Sequence, residues 1–346
     1  MKKYVKYLSV WIILLPLLVA SCGGKEIRDL PPPTPSGNSG DNQEQGGNGG
    51  GDGQTHPWDA NRGKTVTPTG AGWTRDIVSE GISYYHFDGK ESVSGVKQRI
   101  FAADIDMTSD KYKLGLVYYS GRSKASNVLK QKSAIISMNG GYEVASIVIK
   151  VDGSYKSCMP NNYIGDTSVP NWKNEAALYF SDGTDPRIRF DGKGKAIAAQ
   201  RSFYYASKEP NILTSAPMLV DDFEPVGESF VTFTGNLNNL EYEDPSRHQG
   251  VRHPRTVIAT TENNHLLMIV IDGRRTGISE GMTAKEVTGF LVKNFNPQYA
   301  MNLDGGGSST LCISGQGDPS THIVNNPTDS DGERSVTSFL YIVPKE

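Results

Sequence analysis

"AMNLDGGGSSTLCI", residues 300–313, runs from an apolar segment into an acid, three glycines and two serines, and then into a second apolar segment. The pattern reads as two short strands, Gln298 to Leu303 and Thr310 to Ile313, joined by bare backbone. Three consecutive residues without a β-carbon let a ligand approach the main chain, and let successive N–H groups face one concavity that favours anions. Gly305, Gly306, Gly307 and the hydroxyl of Ser308 are therefore candidate anion-binding groups, although a tight structural turn explains the glycines equally well. The stretch is not a Walker loop, since no Gly-Lys-Ser/Thr follows and a strand stands where that motif needs a helix. Nor does it hold the Gly-x-Ser-x-Gly of a nucleophile elbow.

Working outward, Leu266 to Ile271 is a strand and Asp272 to Gly281 a loop. A helix follows, opened by a Thr283/Glu286 capping box and carrying Val287, Phe290, Leu291 and Phe295 at helical spacing. Asp272 and Asp304 thus both end strands and are both followed by glycine, which suggests two loops opening on one rim. Further strand-like runs are Gln98 to Asp104, Lys113 to Tyr119, Ala134 to Met138, Ser146 to Val151, Ala176 to Phe180, Arg187 to Phe190, Thr256 to Thr260 and Ser338 to Val343. Asp-Gly turns at 152–153, 182–183 and 191–192 predict hairpins. A second short helix is expected over Ser126 to Lys132. No unit of 20–50 residues repeats, which argues against solenoids and propellers. The expected fold is α+β: mainly antiparallel, twisted sheets with few packed helices in a single large domain.

The N-terminus is of another kind. Lys2-Lys3 precede an apolar stretch, Leu8 to Ala20, too short to span a bilayer as a mature helix, and Val19-Ala20-Ser21-Cys22 resembles a bacterial lipobox. The expectation is a signal peptide over residues 1–21, lipid on Cys22, and anchoring to a bacterial membrane at the periplasmic face or the cell surface. Residues 22–57 are expected to be the lipidated N-terminus and a Pro/Gly-rich tether, in which 31–55 lack any apolar side chain larger than proline and cannot repay the entropy of ordering. Residues 58–346 form the domain. Losing residues 1–21 removes three lysines and no acid, so the net charge of −3 becomes −6, which argues against a nucleic-acid partner. Cys158 and Cys312 remain in an oxidising compartment, as a disulfide or as two buried thiols.

Arginines frame the acids. Arg252 and Arg255 lie in "RHPRTVIAT" (252–260), Arg274 and Arg275 in "DGRRTG" (272–277), and Arg334 in "GERSV". Planar guanidinium groups suit phosphate or carboxylate, although each alone could be a solvated charge. Asn139, in "SMNGGYE" (137–143), ends another strand and could bond a hydroxyl or simply form a turn. Asp329 and Asp331 offer oxygens to a structural calcium, but the EF-hand spacing is absent and the six histidines show no zinc pattern, so no metal or cofactor is assigned.

"NGGY", "RHPRT", "IDGRRTGISEGMTAKEVTGFL", "NLDGGGSSTL" and "ERSV", in this order, resemble the successive blocks of the phosphodiester glycosidase family. The resemblance implies hydrolysis of a sugar-1-phosphodiester at the anomeric carbon, releasing free sugar and leaving a phosphomonoester, with a glycan or phosphoglycan as substrate. The chemistry so implied makes Asp304 the leading nucleophile or base, and Asp272 its partner or a ligand to sugar hydroxyls, with the two roles exchangeable. Arg255, Arg274 and Arg334, with the backbone of Gly305, Gly306 and Gly307, would hold phosphate. Asn139, Asn302 and Ser308 would orient hydroxyls. One departure is Glu143, where family members commonly carry an aromatic; it bears on the substrate more than on the reaction. Two rivals are a noncatalytic glycan-binding lipoprotein, and a serine hydrolase using Ser308 or Ser309 with His253 or His322, for which no local signature exists.

Overall fold

The structure, a computed structural model, describes residues 55–143, 145–162, 166 and 168–345. The signal segment, Cys22 and the tether up to residue 54 lie outside the described residues. Among the described residues, which make a single domain, sixteen strands form three sheets whose pairs are antiparallel.

The largest sheet runs, in spatial order, β1 (Trp73–Ser79), β2 (Ile82–Lys90), β3 (Lys97–Asp106), β13 (His265–Ile271), β12 (Arg255–Thr260), β14 (Tyr299–Asn302) and β11 (Met218–Asp221). A second contains β7 (Ser154–Ser157), β6 (Ile149–Val151), β10 (Asn211–Ser215), β8 (Ala176–Phe180) and β9 (Arg187–Arg189). The third contains β15 (Leu311–Ile313), β5 (Ile136–Asn139), β16 (Val336–Pro344) and β4 (Tyr112–Ser123).

All three sheets turn one face to a common core. Leu266, Met268 and Val270 from the first meet Ile136, Met138 and Leu340 from the third and Leu178 and Leu213 from the second. Each outer face is covered by a helix. α4 (Ala284–Asn294) places Val287, Phe290 and Leu291 on Leu267, Ile269 and Ile271, α1 (Ala125–Gln131) covers the third sheet, and α2 (Ile197–Ala206) covers the second. A strand buried on both faces reads as an unbroken apolar run, which is why "HLLMIVI" shows no alternation. α4 starts at the expected capping box: Thr283 Oγ1 accepts from the Glu286 N–H at 3.2 Å, and the Thr283 N–H donates to the Glu286 carboxylate at 2.9 Å.

The strand expected over Ser146 to Val151 is shorter, because its first half bonds to side chains. Asn171 and Asn174 donate to the Ser146 carbonyl, and the Val148 N–H donates to Asn174 and Thr214. β1, β2, β7, β10, β11, α2 and the excursion between β11 and β12 with its helix α3 (Pro245–Gly250) are additions to what the sequence announces. Cys312 is a buried free thiol among the α1 contacts, so it does not pair with Cys158.

Register places the site. In the first sheet Arg255 opens β12 opposite Ile271, the last residue of β13, and Val257 faces Asn302, the last residue of β14. Asp272 and the 303–310 segment therefore leave the sheet at one end, on either side of β12. That segment is also the passage from the first sheet to the third, since it joins β14 to β15. The triple glycine lies where two sheets meet.

Candidate functional site

Close approach explains the glycines. A β-carbon on Gly305 would stand 2.6 Å from the Pro254 carbonyl, one on Gly306 3.1 Å from Nη2 of Arg274, and one on Gly307 2.4 Å from Nη2 of Arg334. Gly306 also has φ +62°, where a side chain is strained. The bare backbone is the surface against which two guanidinium groups lie. Gly306 spends its N–H on the Pro254 carbonyl, at 2.9 Å. Those of Gly305 and Gly307 have no protein acceptor among the described residues.

These glycines line a cleft of about 80 Å³ together with Asp304, Arg255, Arg274, Arg334, Tyr242, His248 and His253. Asp304 is its one acid. Burial pushes its carboxyl up to about 6, helped by Glu143, while a Ser308 hydrogen bond and the charges of Arg334 and Lys173 hold it down. Burial first, and then Arg255, push His248 down to about 3 and His253 down to about 4, so both imidazoles are neutral at neutral pH. His253 Nδ1 accepts from Nε of Arg274 at 3.4 Å.

The arginines are held differently. Arg255 is 1% exposed and donates to the Met282 carbonyl at 2.7 Å, to Gln249 Oε1 at 2.7 Å and to the Val251 carbonyl at 2.8 Å. It has no ion-pair partner among the described residues, and burial lowers its pKa to about 10, leaving it charged. Arg274 is exposed, sits at φ +59°, and likewise has no ion-pair partner among the described residues. Its left-handed backbone is uncommon for a long side chain. Arg334 pairs with Asp329 at 2.7 Å and reaches Ser308 Oγ at 3.4 Å, so the Asp329 considered for calcium serves an arginine. Arg252 is paired with the capping Glu286.

Other predicted residues stand behind the cleft. Asn139 is buried, with Nδ2 donating to the Asp304 carbonyl at 2.7 Å and Oδ1 accepting from the Thr310 N–H at 3.0 Å and Thr256 Oγ1 at 3.1 Å. It fixes the backbone at Asp304. Asn302, also buried, donates to the Leu303 and Ala216 carbonyls and to the Tyr142 hydroxyl. Asp272 is 2% exposed and not part of the cleft lining. Its carboxylate accepts from Asn325 Nδ2 and from the Asn326 N–H, each at 3.1 Å, and burial raises it to about 6 against those hydrogen bonds. Glu143 is exposed and pairs with Arg122. Ser308 Oγ meets Arg334 and Ser309 Oγ meets Thr256, and His322 is not in the cleft lining, so neither serine is bonded to an imidazole.

Tyr242 and His248 were not assigned by motif, and His253, inside the RHPRT block, was named only for the serine-hydrolase rival. All three come from the excursion between β11 and β12. Asp244-Pro245 signalled its helix: the Asp244 carboxylate accepts from the Ser246 and Arg247 N–H groups with Pro245 at the first position.

A cleft with three guanidinium groups and one raised carboxyl at the junction of two antiparallel sheets has the charge to suit a negatively charged ligand. Residues 132–343 match the family model for phosphodiester glycosidases, and the chain belongs to that family. It is 26% identical over 260 residues to the SPbeta prophage-derived uncharacterized protein YomE of Bacillus subtilis (strain 168), covering 73% of this chain and 34% of that protein. The chain thus spans about a third of that relative's length. The catalytic domain of zebrafish N-acetylglucosamine-1-phosphodiester alpha-N-acetylglucosaminidase, auto-inhibited by its pro-peptide, has a similar fold: TM-score 0.51 at 16% identity, over 82% of this chain and 87% of that one. A protein of Burkholderia pseudomallei K96243 described as exported gives 0.50 at 12%, over 82% and 99%.

Proposed function

We propose that the protein hydrolyses a sugar-1-phosphodiester at the anomeric carbon, freeing the sugar and leaving a phosphomonoester. The observation that carries this is Asp304, the one acid of a cleft in which Arg255 and Arg274 are charged without ion-pair partners among the described residues. The missing negative charge suits a phosphodiester, and the acid suits the carbon beside it.

The bond between C1 and the bridging oxygen breaks with its electron pair passing to the phosphate, and the oxygen of water bonds to C1 while its proton passes to Asp304 or to solvent. A phosphate leaves as a stable anion, so a strong general acid is not needed. Arg274, Arg334 and the N–H groups of Gly305 and Gly307 supply preorganised positive charge for it. Asp304, ionised above pH about 6, stabilises the oxocarbenium-like carbon, attacks it or activates water. Asp272 holds the 325–326 segment through its carboxylate, and Asn139 holds Asp304 through its backbone. The same reading keeps the catalyst at a bacterial envelope through lipid on Cys22, with a cell-wall or foreign phosphoglycan as substrate.

The test is incubation of the purified protein with aryl phosphodiesters of sugar 1-phosphates, measuring reducing sugar. Release of sugar in step with phosphomonoester supports the reading. Saturable binding with no sugar released would make the cleft a glycan-binding site instead.

A further inference from the structure

Arg274, Arg334 and the bare glycine backbone gather positive charge beside Asp304, and Tyr242 is the exposed aromatic ring of the same cleft. It lines the cleft while 56% exposed, one of the few large apolar side chains left in water.

Its position is set in advance. The Arg247 guanidinium lies 5.8 Å from the ring centroid and is itself tied to the Leu240 carbonyl at 2.6 Å. The His248 ring meets it edge-on at 5.9 Å. On the chain side, Glu243 is bound by Lys173 at 2.6 Å, and Asp244 begins α3. A tyrosine with two side-chain torsions and fixed neighbours presents a broad face at little entropic cost. That face is electron-rich, and the axial C–H bonds of a pyranose are the polarised hydrogens such a face attracts.

Resting on the hydrolase reading for its orientation, we propose that Tyr242 is the platform on which the sugar ring stacks, setting C1 toward Asp304 and the phosphate toward Arg274 and Arg334. Tyr242 then determines which ring face is accepted, and the backbone nest determines the charge.

The experiment titrates the full protein and the variants Tyr242→Ala and Tyr242→Phe calorimetrically with a panel of hexose 1-phosphates and with inorganic phosphate. Circular dichroism first confirms that the variants are folded. The expected result is that Tyr242→Ala weakens the hexose 1-phosphate that wild type binds best by about threefold to tenfold, the size of an aromatic contact. Phosphate affinity stays within about twofold, and Tyr242→Phe behaves as wild type. Equal weakening of both ligands, no weakening of either, or wild-type binding of phosphate but of no hexose 1-phosphate would overturn it. A protein that releases no sugar yet shows this split loses the hydrolase reading and keeps the platform. One that releases sugar with Tyr242→Ala unchanged keeps the reading and loses the platform.

Discussion

Asp272 and Asp304 leave the same end of one sheet on either side of β12, are both followed by glycine, and have pKa values raised by burial to about 6. Only their surroundings separate them. The Asp272 carboxylate is spent on the Asn325 side chain and the Asn326 backbone, donors that belong to the fold. Asp304 opens into a cleft lined by guanidinium groups that lie against glycine backbone. The first is an acid that holds a loop, the second an acid left for a ligand. A raised pKa alone does not distinguish them, because burial is the first cause in both; the identity of the donors does.

The sharpest break between them is kinetic. Asp304→Asn should lower turnover of a sugar-1-phosphodiester about 10²- to 10⁴-fold, the range for a positioned acid–base group, with the far-ultraviolet spectrum unchanged. In the wild type, kcat/KM should fall below pH about 6 as Asp304 takes up its proton. A fully active Asn variant would remove Asp304 from the mechanism. Arg274→Ala comes next: losing an exposed guanidinium that bonds phosphate should cost about 10- to 100-fold in kcat/KM and leave the melting midpoint in place. Asp272→Ala should do the reverse. It strands the Asn326 N–H and the Asn325 amide, lowering the midpoint by roughly 2–10 °C as measured by calorimetry. If its midpoint holds while turnover collapses, Asp272 is the catalytic partner that the sequence suggested.

The sequence carried the rim and missed what closes it. Glycine after each aspartate, the capping box at Thr283 and the uniformly apolar β12 and β13 are local signals, and they suffice to put both acids at one end of a sheet. Which polar group faces inward is not local. Asn139 and Asn302 look like hydroxyl ligands because strand ends favour ligands. Their amides are consumed by carbonyls of Asp304, Leu303 and Ala216 that come from 1 to 165 residues away. Tyr242 and His248 stand in a polar excursion with no periodicity, and only its return to the cleft gives them a role.

The smallest effect bears most directly on the difference between the two acids. Asp304 has a folded pKa of about 6 against an ordinary 3.8, so the fold favours its protonated form. That contribution is fully present below pH about 3.8 and is lost as pH rises through about 6, above which an ionised carboxylate sits in a desolvated cleft. Asparagine has the same shape and no charge. Asp304→Asn should therefore match wild type in melting midpoint near pH 4 and gain on it steadily to about pH 6, keeping that advantage to pH 8 in buffer free of phosphate. Asp272→Asn starts from a shift of the same direction, but its amide would turn donor toward donor at the Asn326 N–H, so its midpoint should lie below wild type at pH 8. Opposite signs at pH 8 for two chemically identical substitutions would show one acid held for a ligand and the other for the fold. A midpoint below wild type for both would make Asp304 a second structural latch.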